Sequence, residues 1–186
     1  KKSEITAGRM QFNGSEAMFG FSYVFNDSGY YPESHVSGLD MKYSSEALTL
    51  NVERAWDETY STTSSAEGHG TYLSMVVSRW NWSLLSEYKD YDYTWERPFQ
   101  NPPVAYRELG PRLLHGRDPH VPTVRGEVGY QLELSGRPFS TNFAMLHYHL
   151  LSHRPEHQSG LPRPTLQQVN NPFWECFANF EQELPA

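Results

Sequence analysis

Apolar and polar residues alternate with a period of two along much of the chain. In "AMFGFSYVF", Phe19, Phe21, Tyr23 and Phe25 fall on one face, with Gly20 and Ser22 on the other. That spacing predicts a half-buried β-strand, because successive strand side chains point to opposite faces. "LTLNVERAW" repeats the pattern with Leu48, Leu50 and Val52. "TYLSMVVSRWNW" reads as one strand with Leu73, Met75 and Val77 opposite Tyr72, Val76, Trp80 and Trp82. The polar stretch "YSTTSSAEGHG" before it reads as a loop, since it offers little to bury.

"DYDYTWE" places Tyr91, Tyr93 and Trp95 on one side, with Asp90, Asp92, Thr94 and Glu96 on the other. From 98 to 122 the chain carries six prolines, which remove backbone donors and fix φ. That segment reads as an ordered crossing loop anchored by Val104, Tyr106 and Leu109. "EVGYQLEL" aligns Val128, Tyr130, Leu132 and Leu134 on one face. The turn formers "SGRP" follow, and "FAMLHYHLL" returns as the hairpin partner.

The tail has a different period. Asn171 suits an N-cap, Pro172 suits the first helical position, and Phe173, Phe177, Phe180 and Leu184 recur at helical spacing. The spacing predicts a short C-terminal α-helix over 171–184. The whole therefore reads as a single all-β domain over 1–186. It is expected to be an antiparallel β-sandwich or barrel with that helix docked on it, since the connections look too short for repeated helical crossovers.

Composition narrows the function. Fifteen Lys and Arg against 22 Asp and Glu give a net charge of −7, without a basic run to replace counterions along a phosphate backbone. Nucleic acid is not an expected partner. No apolar run approaches the ~20 residues of a membrane-spanning helix, so no membrane span is expected either. The single cysteine, Cys176, precludes an intrachain disulfide, which argues against secretion. Three glycosylation sequons, at Asn13, Asn26 and Asn81, favour a secreted or surface location.

The aromatic share is high at 15%. Flat rings on a strand face stack against sugars while neighbouring carboxylates and amides bind hydroxyls. Trp80, Trp82, Tyr91, Tyr93 and Trp95 form the candidate platform, and the first functional reading is a domain that binds a carbohydrate or other small molecule. The second is a metal-dependent enzyme built on "LHYHLLSH". In a strand, His147 and His149 share a face about 6 to 7 Å apart, opposite Glu127, Gln131 and Glu133. Two imidazoles with a carboxylate suit Zn, Fe or Mn, with Glu133 or His153 completing the shell. His153 joins only if the chain turns at Ser152. A third reading, a surface or virion assembly subunit, fits the many aromatics and the long Pro-rich loop, and homo-oligomerisation is a further expectation.

Overall fold

The structure, a computed structural model, describes residues 4–27, 33–60, 65–92, 127–139, 142–153 and 170–182. They form nine strands: β1 (Glu4–Asn13), β2 (Ala17–Asp27), β3 (Glu33–Ser44), β4 (Leu48–Tyr60), β5 (Ser65–Arg79), β6 (Trp82–Asp92), β7 (Glu127–Gly136), β8 (Asn142–His153) and β9 (Asn170–Gln182). Each pairs antiparallel with its sequence neighbour, giving one sheet in the order β1 to β9. The all-β expectation holds. A second packed layer is not seen among the described residues.

Three local expectations are corrected. The tail from Asn170 is a strand paired with β8, not a helix. Its sequence carries the strand period as well: Trp174, Cys176, Ala178 and Phe180 share a face, and β8 offers them Leu150, Tyr148, Leu146 and Ala144. Ser65 to Gly70 belongs to β5, because it pairs along its length with β4, and at His69 and Gly70 with β6 as well. "TYLSMVVSRWNW" is broken by a two-residue hairpin turn at Trp80–Asn81 that pairs Arg79 with Trp82. Trp80 has a φ of 54° there, the sign that two-residue hairpin turns require. The Arg79 guanidinium lies 4.5 Å from the centre of its ring. The prolines of 98–122 lie outside the described residues.

The register of β7 and β8 is the expected one. Leu134 pairs with Leu146, Leu132 with Tyr148, and Tyr130 with Leu150, which puts apolar against apolar. The same logic runs across the whole sheet. One row of hydrogen-bonded neighbours reads Phe12, Phe19, Met41, Val52, Leu73, Tyr88, Tyr130, Leu150 and Trp174. A row on the reverse face reads Lys42, Asn51, Ser74, Glu87, Gln131 and His149 from β3 to β8.

The rows do not run square to the strand ends. Phe12 lies one residue from the turn end of β1, Val52 four from that of β4, and Trp174 eight from that of β9. The strands are thus progressively sheared, the stagger that tilts strands as a sheet curls. The two ends of the sheet also differ. Connections at one end are short (14–16, 45–47, 80–81, 137–141), whereas the other end carries 28–32, 61–64, 93–126 and 154–169.

Candidate functional site

Burial is inverted relative to a water-soluble domain. Among the described residues, Val128 is the one hydrophobic side chain that is fully buried, against eleven polar or charged ones. His149 and Gln131, on the polar face, are 0% and 1% exposed. Leu132, Leu134 and Leu146, on the apolar face of the same two strands, are 40 to 49% exposed. Phe19, Phe21 and Tyr23, expected to be half-buried, are exposed as well. The apolar face therefore meets the surroundings and the polar face is the enclosed one.

The apolar face is itself ordered in bands. Near the turn end stand Phe12, Phe19, Trp82 and Phe180. Trp82 lies against Gly136, where an added Cβ would meet its ring at 2.6 Å. A belt follows in which Leu48, Val77, Leu84, Leu134 and Leu146 are successive cross-strand neighbours. Beyond it come Tyr23, Tyr88, Tyr130, Tyr148 and Trp174. Past those rings, towards the long connections, this face turns polar. Arg54 donates to Thr71, and Tyr88 donates to Asp90, whose other oxygen lies 3.5 Å from His69 Nε2. His69, Thr71 and Asp90 are buried, so at β5 and β6 the outward face is covered there.

The polar face carries a connected network. Glu87 sits at its centre: Tyr72 Oη donates to one carboxylate oxygen at 2.5 Å, and Gln131 Nε2 donates to the other. Gln131 pairs across the sheet with His149. His149 Nδ1 lies 3.3 Å from His147 Nε2, and His147 Nδ1 lies 3.6 Å from Glu133. Near the β1 edge Arg9 donates to Asp40 at 2.8 Å. Gly20 leaves room for that pair, since a Cβ there would fall 2.3 Å from the Asp40 carboxylate.

Burial, followed by the bond to Glu87 and its charge, raises the Tyr72 phenol above its ordinary value of 10.0. A phenol whose folded pKa exceeds its unfolded one stabilises the fold fully below the unfolded value and loses that contribution as pH rises past it. Stability should therefore decline above about pH 10. The decline should be shallower in Tyr72→Phe, and a denaturation series against pH on the two proteins checks this. Parallel curves would show that the Tyr72 phenol titrates alike in the folded and unfolded states.

The expected site residues separate. His147, His149 and Glu133 do come together, with both imidazoles on one face of an extended strand and Tyr148 on the other. His147, however, has one nitrogen towards Glu133 and the other towards His149, a chain of side chains rather than lone pairs converging on a point. Among the described residues, no group of three or more His, Cys, Asp or Glu side chains is disposed to hold a metal ion. His153 falls opposite Glu127 at the end of β8.

Three of the five candidate platform residues, Trp80, Trp82 and Tyr91, lie among the described residues. Trp80 is 85% exposed at a turn, Trp82 begins β6, and Tyr91 is at the far end of that strand. Tyr93 and Trp95 lie outside the described residues. Sequence reasoning missed instead a cluster of Tyr23, His35, Ser37, Trp56, Glu58 and Tyr60. These residues meet only through the register of three strands, which no local spacing reveals.

No protein-family model, curated protein or solved structure matches the chain. Among the described residues no helix is long and apolar enough to cross a membrane. That criterion concerns helices alone.

Proposed function

We propose that these nine strands are part of the wall of a transmembrane β-barrel whose polar face lines the interior. The carrying observation is the inverted burial: the exposed face is a belt of Leu, Val, Met and aromatic side chains, and the enclosed face holds Glu, Gln, His and Lys. Water penalises such a surface, whereas lipid hydrocarbon does not. In a bilayer every backbone polar group must be paired within the protein, which strands achieve only in a closed sheet.

Four further features support this reading. Strands of 10 to 15 residues satisfy the roughly 9 to 11 that a tilted crossing requires. The aliphatic belt is flanked by rings on both sides, as at the two interfaces of a membrane. Uniformly short turns at one end, and two long connections (93–126 and 154–169) at the other, match the usual asymmetry of such barrels. The stagger of the rows supplies the tilt. β1 and β9 run in the same direction, so a wholly antiparallel closure takes an odd number of further strands.

Single cysteines test the proposal. In a Cys176→Ala background, a fluorophore at 132, 134 or 146 should be quenched by a lipid-borne quencher after reconstitution into vesicles. The same label at 131, 133 or 147 should be shielded from it. The alternation should follow residue by residue. Uniform quenching by an aqueous quencher, in a chain that stays soluble without lipid or detergent, would overturn the assignment.

A further inference from the structure

Apart from the polar interior, one concavity stands on the outward face, at the polar margin of the aromatic belt. Its origin is a cross-strand row of unequal side chains. Tyr23 on β2, Ser37 on β3 and Trp56 on β4 are direct neighbours, so a small residue sits between two large rings. Two strand spacings separate the rings' backbones, about 10 Å. His35 and Glu58 pair in the next row, and Tyr60 closes the end. The result is an open pocket of about 270 Å³.

The pocket's polar atoms are held in place. Tyr60 donates to Glu58 at 2.7 Å, which raises the Tyr60 phenol above its usual value and keeps it protonated. Tyr23 Oη and His35 Nδ1 lie 2.6 Å apart, which leaves Nε2 as the second polar atom of that ring. Phe25 and Tyr60 pack against the same imidazole at 5.0 and 5.7 Å between centroids. Arg54 steadies Trp56 from within the sheet, 5.6 Å from its ring centre.

We propose that this pocket binds one pyranose ring of a neutral sugar. Trp56 and Tyr23 offer flat apolar walls to the C–H face of such a ring. Glu58, Ser37 and His35 offer an acceptor, a hydroxyl and a ring nitrogen to its hydroxyls. An anionic ligand is disfavoured by the Glu58 carboxylate in a lining with no Lys or Arg among its described members. A purely apolar ligand would strip water from Glu58 and Ser37 without replacing their hydrogen bonds. The volume is just under the ~300 Å³ at which small-molecule sites begin, which suits one ring and not an oligosaccharide. The sugar could come from solution or from a glycolipid headgroup, and the chemistry of recognition is the same.

The test uses the whole chain in a zwitterionic detergent without a sugar headgroup, or in buffer if the chain proves soluble. Saturation-transfer NMR with methyl β-glucopyranoside and methyl β-galactopyranoside reads binding of free sugar. Co-sedimentation with phosphatidylcholine vesicles, with or without a monoglycosyl diacylglycerol, reads the lipid source. Binding in either arm should weaken about tenfold or more in Trp56→Ala, the loss expected for a stacking anchor. Ser37→Leu should abolish it by filling the notch, and a leucine suits an outward position on this face, so folding is retained. No response in either arm would overturn the proposal, and so would a response unchanged by Ser37→Leu. A chain that binds sugar in buffer yet stays out of vesicles would refute the membrane assignment and leave the pocket standing.

Discussion

Replacing Leu132 with arginine is expected to destabilise the protein in a bilayer by about 2 to 4 kcal/mol, the cost of a cation near the midplane on a lipid-facing strand. Leu132 is 41% exposed and sits mid-strand between Tyr130 and Leu134. On a water-facing surface the same substitution would change stability by no more than about 0.5 kcal/mol. The two environments therefore predict effects that differ several-fold for one residue. Depth gives a second handle. Leu134→Arg, between Leu84 and Leu146 in the aliphatic belt, should cost at least as much as Leu132→Arg, whose cross-strand neighbour is Tyr148 of the ring band. Urea unfolding of the reconstituted variants measures both. Two near-neutral substitutions would mean that this face is wetted by water.

The period of two was legible in β2, β4, β5, β7 and β8 and missed in β9, and the β7–β8 register followed from matching Leu134 to Leu146 and Leu132 to Tyr148. What alternation cannot say is which face is wet. A strand with Phe19, Phe21 and Tyr23 on one side reads identically whether those rings enter a core or a bilayer, since the pattern contains the contrast and not the solvent. The polar rows held a hint: Glu87, Gln131, His147 and His149 are costly to leave unpaired, and their alignment across neighbouring strands provides partners for them. The lengths of the connections held another. Short turns alternate with 93–126 and 154–169, an asymmetry about the two ends of a sheet that becomes visible only once strands are numbered.

Other parts were not legible for local reasons. Phe173, Phe177 and Phe180 fit a helical stripe, yet in β9 Phe177 falls on the polar face and Phe180 on the apolar one. An Asn-Pro start resembles a helix N-terminus, and pairing with β8 overrides it, because tertiary partners outweigh a weak local preference. The sugar pocket needed three strands in register before Ser37 could be seen between Tyr23 and Trp56. The imidazole pair was found from spacing, but spacing could not show that His147 turns its two nitrogens to different neighbours.

Glu87→Leu should be the most damaging single change on the polar face. Its carboxylate accepts from Tyr72 and from Gln131, on the two strands that flank it. Hydrogen bonds to a charged group are worth about 1.5 to 3 kcal/mol each, and removing a shared acceptor also leaves two donors to be desolvated without recompense. A loss of about 2 to 3 kcal/mol is expected, below the range for a fully buried charged cluster because Glu87 and its two bonds are part-buried. Glu87→Gln should recover part of it, since one amide oxygen can still accept from Tyr72. The double variant Glu87→Leu with Gln131→Leu should be less unstable than the sum of the single changes, because the second substitution removes a donor that the first had stranded. Strict additivity in that cycle would separate Glu87 from Gln131 energetically and dissolve the network at its centre.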